Sequence, residues 1–356
     1  MTMPLLVTGG AGFIGSALVR HLIATGERVV NLDALTYAGN RENLGEAGAH
    51  PNHVFVEGSI NDRVLVARLF DEHQPRAVIN VAAETHVDRS IDGPAAFVET
   101  NIVGTFTMLD EARDYRDSLA GTERDGFRFV QVSTDEIYGS LGKGAFREGD
   151  PYRPNSPYAA AKAAADHLAR AYHHTYGLPV IITNGSNTYG PYQFPEKLLP
   201  LMILNAVDGK PLPVYGAGSN VRDWLHVDDH AAGIIAALKN GTPGDSYNLG
   251  GGNEFSNIDV VHRLCAILDE VRPRADGRLH AERIIFVEDR PGHDFRYALD
   301  SSKARERLSW TPAVAFDDGL RAMVEWYLAN QDWCGKIASV LYERQRLGLG
   351  AGRKNR

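Results

Sequence analysis

The sequence is poor in cysteine, with only two in 356 residues, Cys265 and Cys334. They lie far apart and form no Cys-x-x-Cys pair, which argues against a metal–thiolate site and against a disulfide framework. The two thiols fit a reducing compartment, so we predict a cytoplasmic protein. We predict no metal site.

Long apolar runs and dense basic clusters are also missing. No segment approaches the ~18 uninterrupted apolar residues of a membrane span, and the first residues lack the basic and apolar regions of an export signal. The formal net charge is -8, and the one dense basic run is the terminal Arg-Lys-Asn-Arg of residues 353–356. We therefore expect neither a membrane nor a nucleic acid as partner, and we predict that residues 346–356 form a disordered tail.

The sequence instead contains short apolar runs that alternate with helix-length amphipathic stretches. Residues 4–8 precede such a stretch at 13–25, and residues 54–57 precede another at 62–73. This alternation is typical of a parallel sheet with helices on both faces. We predict an α/β fold, a Rossmann-type doubly wound parallel sheet with a smaller, mixed α/β C-terminal substrate domain.

A Pro- and Gly-rich stretch at residues 190–218 indicates where the second domain begins. We assign residues 1–185 to an NAD-binding domain, to which residues 224–250 return. Residues 186–223 and 251–345 are predicted to form the nucleotide-sugar-binding domain.

The segment TGGAGFIG places Gly9, Gly12 and Gly15 directly after the first strand, with Phe13 and Ile14 in the same turn. Glycines at this spacing permit a tight turn and a close backbone approach, so the free N–H groups of the following helix can meet a pyrophosphate. A strand-to-helix turn without a ligand is the alternative explanation. The sequence context favours a dinucleotide site formed by these five residues.

Asp33 ends the second strand, at about the 20-residue distance at which an acidic residue accepts hydrogen bonds from the ribose hydroxyls. A carboxylate at this point would repel the 2′-phosphate of NADP. The predicted cofactor is therefore NAD.

Tyr158 and Lys162 lie four residues apart in NSPYAAAK, where Ser156 or Asn155 can cap a helix that has Pro157 in its first turn. An ammonium group beside a phenol would lower the pKa of the phenol toward that of a general base. Next to a dinucleotide motif, this spacing favours oxidation of an alcohol over a chance pair on a helix face.

Asp135 and Glu136 follow a predicted strand in VSTDEIYG. Oxidation of a hydroxyl to a ketone acidifies the neighbouring C–H, so one carboxylate can remove that proton while a carboxylic acid protonates a departing hydroxide. Two adjacent carboxyl groups can divide these functions if their environments separate their pKa values. A solvated turn is the alternative for such a dipeptide taken alone.

The ordered motifs identify a resemblance that runs from about residue 5 to residue 333. The chain resembles the nucleotide-sugar 4,6-dehydratases of the extended short-chain dehydrogenase/reductase superfamily. The matching segments are TGGAGFIGS (8–16), LTYAGNRENL (35–44), AAETHVDRSI (82–91), STDEIYG (133–139), SPYAAAK (156–162), YGPYQFPEKLLPL (189–201), RDWLHVDDHA (222–231) and DRPGHDFRYALD (289–300).

The resemblance implies a function for each catalytic candidate. Tyr158 would deprotonate the glucose 4-hydroxyl, with Lys162 tuning the phenol and holding the nicotinamide ribose. Thr134 would hydrogen-bond the 4-oxygen. Glu136 would remove the C5 proton and Asp135 would protonate the departing 6-hydroxyl, so that the product is a nucleotide-linked 4-keto-6-deoxyglucose and NAD is regenerated.

The resemblance also implies binding residues and partners. Further cofactor contacts would come from Ser59, Ile60, Ala82 and Ala83, together with Tyr158 and Lys162. The nucleotide sugar would be held by His86, Asn187, Lys197, Leu198, Pro213, Tyr215, Arg222, Asn257, Arg290, His293 and Tyr297. The implied base is thymidine, with uridine and cytidine as alternatives, and the implied assembly is a homodimer built on the helices at residues 97–118 and 157–176.

The chain departs from the family pattern at Ser59, where an Asp would accept from the adenine amino group, and at Thr188, where an Asn is usual. Asp62 is a possible substitute for the missing carboxylate. Three other functions share part of this sequence pattern: a sugar-nucleotide 4-epimerase, a nucleotide-linked uronate decarboxylase and a non-catalytic NAD-binding sensor. Asp135 and Glu136 argue against the first two, and the intact set of catalytic candidates argues against the third.

Overall fold

A computed structural model describes residues 3–289 and 293–340 of the chain. The predicted substrate residue Arg290 and the predicted tail at 346–356 lie outside the described residues. The strands are β1 Leu5–Thr8, β2 Val29–Asp33, β3 His53–Glu57, β4 Ala77–Asn80, β5 Arg128–Thr134, β6 Val180–Gly185, β7 Asn187–Tyr189, β8 Leu212–Tyr215, β9 Val221–His226, β10 Ser246–Leu249, β11 Glu254–Ser256 and β12 Ile284–Val287. The α-helices are α1 Phe13–Ala24, α2 Arg63–His73, α3 Val87–Asp92, α4 Ala95–Phe97, α5 Thr105–Ser118, α6 Gly121–Gly126, α7 Pro157–Tyr176, α8 Leu198–Val207, α9 Val227–Asn240, α10 Asn257–Val271, α11 Ser302–Leu308, α12 Phe316–Ala329 and α13 Gln331–Val340.

Seven strands form a parallel sheet in the order β10-β6-β5-β4-β1-β2-β3. The chain first builds outward from β1 to β3 and then continues from β4 on the other side of β1. The strand order therefore reverses between β1 and β4, which is where ligands bind in open α/β sheets. The predicted fold class is confirmed.

Helices cover both faces of this sheet. On one face, Leu18 and Leu22 of α1 pack with Ile234 of α9. On the other, Val66 of α2 and Met108 of α5 belong to a second buried cluster with residues of α7. Both faces of the strands are thus buried, which explains their nearly continuous apolar character.

A smaller lobe contains two further sheets. Strand β9 pairs in parallel with β7 and antiparallel with β11, and β8 pairs in parallel with β12. A third core of α8, α10 and α12 side chains, among them Met202, Leu264 and Met323, lies in this lobe. Strand β10 is an edge strand of the main sheet, so the chain crosses back to the large lobe before the described part ends. The exact domain boundaries remain a prediction.

One predicted helix, residues 97–118, is interrupted in the structure. It consists of α4, a π-helical segment Val98–Gly104 and α5. Within the π-helical segment, Asn101 receives the Glu84 N–H (2.9 Å) and donates to the Glu84 carbonyl (3.0 Å). This side chain ties the helix to the loop after β4, a tertiary contact that periodicity does not reveal. Across the described residues, no helix is long and apolar enough to cross a membrane.

Candidate active site

A deep cleft opens at the carboxyl edge of the main sheet. The loops that follow β1, β2, β4, β5 and β6 line it together with the start of α1 and the N-terminal turn of α7. The cleft brings together residues that are far apart in the sequence, such as Gly9 and Tyr158. Parallel strands all end at this edge, so the polar residues that follow them converge there.

Backbone geometry at the start of α1 explains two of the predicted glycines. Gly9 has φ +68°, and a Cβ atom there would lie 2.7 Å from the Ala82 Cα atom. A Cβ at Gly15 would overlap the Gly9 carbonyl oxygen, so α1 approaches β1 closely only with glycine at both positions. The N-cap residue of α1, Gly12, provides no side-chain cap, which leaves the first N–H groups of the helix to a ligand.

Asp33 lies at the end of β2 and lines the same cleft. Its Oδ2 accepts the Ala11 N–H and its Oδ1 accepts the Leu35 N–H, each at 2.8 Å. Burial raises the pKa of this carboxyl, and the backbone hydrogen bonds oppose that shift. Each oxygen retains a lone pair, so the carboxylate can still accept hydrogen bonds from a ligand in the cleft.

The remaining predicted cofactor residues with small or apolar side chains also line the cleft. They are Phe13, Ile14, Ser59, Ile60, Ala82 and Ala83. Ser59 Oγ accepts the Asn61 N–H at 3.1 Å, and Asp62 caps α2 by accepting the Leu65 N–H at 3.0 Å. The Asp62 carboxylate therefore has a structural function at the helix start. Taken with the glycine cradle and Asp33, these residues fit a bound dinucleotide.

Tyr158 and Lys162 lie on one face of α7. The helix begins as its sequence indicates, because Ser156 Oγ caps it by accepting the Ala159 N–H at 3.1 Å. Tyr158 lines the cleft. Lys162 does not line it, because its buried Nζ donates to the Val132 carbonyl at 2.6 Å below the surface of the cleft.

The pKa of Tyr158 differs in direction from the sequence-based expectation. Burial raises this pKa, the negative charge of Glu136 raises it further, and a side-chain hydrogen bond with Thr134 lowers it. Burial lowers the pKa of Lys162, whereas the Asp166 carboxylate raises it. Burial therefore outweighs the helical spacing of tyrosine and lysine in setting the pKa of the phenol.

Asp135 and Glu136 begin a 3₁₀ turn, Asp135–Tyr138, at the end of β5. Burial raises the pKa of Asp135 well above its ordinary value, and the charges of Glu136 and Asp223 raise it further. Asp135 Oδ1 accepts the Thr134 hydroxyl at 3.2 Å, whereas Oδ2 is buried and has no hydrogen-bond partner among the described residues. A protonated Asp135 therefore has an oxygen available to donate a proton to a ligand in the cleft.

Two predicted substrate residues, Arg222 and Tyr297, pack against each other beside this acidic pair. The Arg222 guanidinium lies 4.5 Å from the centre of the Tyr297 ring. Arg222 lowers the pKa of Asp135, and Glu136 raises the pKa of Tyr297, so all four groups are electrostatically coupled. Arg222 Nη2 donates to the Asp294 carbonyl at 3.0 Å, and this hydrogen bond holds the guanidinium group near Asp135 and Glu136.

Asn187 and Lys197 line the cleft itself. Lys197 Nζ donates to the Thr85 carbonyl at 3.0 Å. Asn187 Oδ1 is buried without a hydrogen-bond partner in the part of the chain that the structure describes. Both side chains lie where the small lobe meets the sheet.

The other predicted substrate residues that the structure describes lie outside the lining of this cleft. They are His86, Leu198, Pro213, Tyr215, Asn257 and His293, in addition to Arg222 and Tyr297. Tyr215 donates to Asp88 at 3.2 Å and its ring packs 6.2 Å from that of His293. These two residues therefore form a group of their own on the small lobe.

The His-Val-Asp-Asp-His sequence at residues 226–230 serves local hydrogen bonds. His226 Nδ1 accepts the Asp228 N–H at 3.3 Å, and Asp229 accepts the N–H groups of Ala313 and Val314, each at 2.9 Å. Among the described residues, no group of three or more His, Cys, Asp or Glu side chains is placed to hold a metal ion.

Several cleft residues were not predicted from the sequence. Glu196 lines the cleft and accepts the Tyr37 hydroxyl at 3.0 Å, and burial raises the pKa of its carboxyl to about 7. His230 and Ser133 also line it. Glu196 and His230 both lie in motifs that the sequence analysis recognised, at residues 189–201 and 222–231. Membership of these motifs was the available signal, but only the packing of α9 against β6 brings His230 into the cleft.

Comparisons with known proteins agree with this geometry. A family model described as GDP-mannose 4,6 dehydratase matches residues 6–323. A dTDP-glucose 4,6-dehydratase of Xanthomonas campestris pv. campestris (strain B100) is 56% identical over 344 residues, covering 96% of this chain and 98% of the relative. A crystal structure of a dTDP-glucose 4,6-dehydratase from Streptomyces venezuelae with NAD bound superposes with a TM-score of 0.86 at 47% identity, covering 94% of this chain and 100% of that chain.

A UDP-glucose 4-epimerase of Thermotoga maritima is also similar, with a TM-score of 0.81 over 92% of this chain and 100% of that chain. Its identity is 30%. The fold is thus shared with epimerases, while the sequence is much nearer to the dehydratases.

Proposed function

The chain belongs to the family described as GDP-mannose 4,6 dehydratase. From its similarity to dTDP-glucose 4,6-dehydratases over nearly its whole length, we propose that it is an NAD-dependent dehydratase of dTDP-glucose. Its product is dTDP-4-keto-6-deoxyglucose, formed by C4 oxidation, loss of water across C5 and C6, and reduction at C6. The observation that carries the proposal is the buried Asp135, whose raised pKa and unshared Oδ2 supply an acid beside Glu136 and Tyr158.

The first step needs a base at the sugar 4-hydroxyl. Bound NAD supplies the acceptor for the hydrogen on C4 and returns it later to C6, and its nicotinamide ring carries a positive charge in the oxidised form. Tyr158 accepts the hydroxyl proton, and Thr134 hydrogen-bonds the same oxygen. Lys162, with Asp166 as its counter-charge, lies on the same helix face as Tyr158. Positive charge on that face would favour the phenolate, which burial and the carboxylate of Glu136 disfavour.

The elimination needs one carboxylate and one carboxylic acid. Glu136 removes the C5 proton, which the new ketone at C4 has acidified. Asp135 transfers its proton to the departing 6-oxygen, so the C6–O bond breaks and water leaves. Glu136 then returns a proton to C5. Tyr158 releases to solvent the proton it took from the 4-hydroxyl, and Asp135 takes up one from solvent, so each group regains its starting state. The surroundings of Asp135 support it as the acid, because burial and two neighbouring carboxylates raise its pKa well above the ordinary value.

We propose that the nucleotide lies on the small lobe. Arg222, held next to the acidic pair by backbone carbonyls, would contribute positive charge for the diphosphate. Tyr215 and His293 form the adjoining group on β8 and the loop after β12. Pro213, Asn257 and Leu198 would complete this region. The thymine base follows from the dehydratases that this chain resembles.

The proposal is tested by incubating the purified protein with dTDP-glucose, UDP-glucose and CDP-glucose in separate reactions and measuring product masses. Loss of one water from dTDP-glucose, at a rate at least ten times that with the other two, is expected. An unchanged mass with inversion at C4 would identify an epimerase instead. Loss of carbon dioxide from UDP-glucuronate would identify a decarboxylase.

We also propose a homodimer. Three apolar side chains of the interrupted helix are partly exposed, Val98 at 48%, Val103 at 39% and Phe106 at 40%. Helix α7 packs beside α5 and presents Ala160 and Ala171 to solvent, small residues that permit another helix to approach. An exposed apolar face of this kind is typical of a protein–protein interface.

A cytoplasmic location is likewise a proposal. It is supported by Cys265 and Cys334, which are buried free thiols. Such thiols persist in a reducing compartment. Cell fractionation with an antibody to the chain tests this location.

A further inference from the structure

His230 presents a polar atom to the cleft that the mechanism above does not use. The side chain lies on the first turns of α9 and is 2% exposed. Its Nε2 atom is buried and lacks a hydrogen-bond partner among the residues that the structure describes. Because buried polar atoms are nearly always paired, an unshared one that faces a binding cleft indicates a ligand.

The hydrogen bonds around the imidazole determine whether Nε2 is a donor or an acceptor. Thr188 Oγ1 donates its one hydrogen to the Ser186 carbonyl at 3.1 Å. With that hydrogen directed at Ser186, Nδ1 is the donor in the contact of 2.8 Å between His230 Nδ1 and Thr188 Oγ1, and we assign the ring tautomer on this basis. Burial lowers the pKa of His230 to about 4, so the ring is neutral near pH 7. A neutral ring with its proton on Nδ1 has an acceptor lone pair on Nε2.

The position of Nε2 shows which part of a ligand it meets. The ring lies against Gly185, where an added Cβ would be 2.5 Å from Nε2. Gly185 ends β6 and pairs with Thr134 of β5. Asp33 marks the adenosine end on the other side of the switch point, so the nicotinamide end extends over β4, β5 and β6.

We propose that His230 Nε2 accepts a hydrogen bond from the carboxamide N–H of the nicotinamide and thereby sets the orientation of the ring. The inference rests on the proposed function, because it requires NAD in this cleft. Such a bond fixes which face of the ring meets the sugar, since rotation of the carboxamide-bearing ring would break it. His230 is thus a positioning residue for the transferred hydrogen.

The test compares NAD with its 3-acetylpyridine analogue, which keeps the carbonyl but has a methyl group where the carboxamide has NH₂. The full-length protein is freed of cofactor, and both dissociation constants are measured by quenching of tryptophan fluorescence. Wild type is expected to bind NAD about tenfold or more tightly than the analogue, because the analogue leaves a buried acceptor unpaired. In His230→Asn, which can still bond Thr188 but lacks an atom at Nε2, the ratio should approach one.

His230→Gln is the rescue variant, because its amide oxygen can reach the position of Nε2, and it should keep most of the preference. His173→Asn on α7, outside the cleft lining, should match wild type. If His230→Asn proves unfolded by its melting curve, the wild-type ratio and the Gln variant still decide the question. A ratio of the two dissociation constants near one in wild type, or an unchanged ratio in a folded Asn variant, would overturn this inference but not the proposed function. Failure of wild type to bind NAD would overturn the proposed function as well.

A hydroxyl group of the sugar is an alternative donor to His230 Nε2. Titration of NAD-loaded wild type and His230→Asn with dTDP-glucose distinguishes this donor from the carboxamide. Equal sugar affinities support the carboxamide. A tenfold loss of sugar affinity, together with an unchanged cofactor ratio, would assign Nε2 to the substrate and overturn the proposal.

Discussion

At the scale of single residues, the adjacent carboxyl groups of Asp135 and Glu136 differ because their surroundings differ. Asp135 is almost fully buried, next to Thr134 and within the electrostatic influence of Asp223. The dipeptide alone indicates an acid–base pair, and the family resemblance implies that Asp135 is the acid. The raised pKa that suits Asp135 to this function comes from burial, Glu136 and Asp223, and the last of these approaches from β9 through the fold.

Asp135→Asn should stop the elimination while leaving oxidation in place. The amide has the shape of the acid but does not supply the proton, so the dehydration rate should fall about 10²- to 10⁴-fold. Reduction of the cofactor on mixing with dTDP-glucose should persist, measured by its near-ultraviolet absorbance. Asp150→Asn, in a turn where the carboxylate accepts the Arg147 N–H, is the matched control. A variant at Asp135 that keeps more than half of the wild-type rate would refute the acid assignment.

Asp223→Asn should change the pH dependence of stability. Burial raises the pKa of Asp223 to about 6, above its ordinary value of about 3.9. The folded state therefore binds more protons between these two values, so this residue makes the wild type less stable as pH rises. Relative to wild type, the variant should gain about 1 kcal/mol in unfolding free energy between about pH 5 and about pH 8.

Urea unfolding at the two pH values measures this change. Comparing the difference between the two unfolding free energies cancels any effect of the substitution on stability that does not depend on pH. Exposed Asp71 on α2 provides the control Asp71→Asn, which should show no such change.

Asp223→Asn also removes a negative charge that raises the pKa of Asp135. The high-pH limb of the dehydration rate should therefore move to lower pH, and a shift to higher pH would contradict the coupling.

At the scale of elements, the approach of α1 to β1 depends on Gly15. Gly15→Ala would place a methyl group on the Gly9 carbonyl and push the helix start away from the strand. Overpacking of this kind costs about 1–3 kcal/mol, and NAD affinity should fall at least tenfold because the first-turn N–H groups move. Calorimetric titration with NAD and thermal unfolding measure the two effects.

Gly126→Ala is the control, because an added Cβ at that position meets no atom within 4 Å. It should change the stability by less than about 0.5 kcal/mol. Equal losses in the two variants would mean that close helix–strand approach is not the cause.

Regular elements with clear ends could be predicted from the sequence, and elements created by tertiary contacts could not. Helix α7 has Ser156, Pro157 and Gly177 at its two ends, and both ends were predicted. Strand β7 has three residues, too few for a periodic pattern. The same holds for the site: consecutive motifs revealed Asp135 and Tyr158, whereas His230 enters the cleft only through the packing of α9.

At the scale of the whole molecule, the proposed dimer places an apolar helix face between two copies of the chain. Phe106→Glu would bury a charge in that interface, so light scattering should give half the wild-type mass. Val271→Glu, at the end of α10 on the small lobe, exposes a similar fraction, 36%, and should leave the mass unchanged. A monomeric wild type, or a Phe106 variant with the wild-type mass, would refute this interface.

The two-lobed arrangement places the proposed acid–base residues between the carboxyl edge of the main sheet and the small lobe. A cofactor that serves both half-reactions must stay bound between them, and a cleft built from the strand ends and covered by the small lobe suits that requirement. The account therefore predicts that one hydrogen moves within one sugar molecule.

That transfer is the most direct test of the central claim. dTDP-glucose carrying deuterium at C4 is converted in ordinary water, mixed with unlabelled substrate, and the product is analysed by mass spectrometry and NMR. The expected product has lost one water and carries deuterium at C6 of the same molecule and a solvent proton at C5. Deuterium retained at C4, lost to solvent, or exchanged between substrate molecules would contradict it.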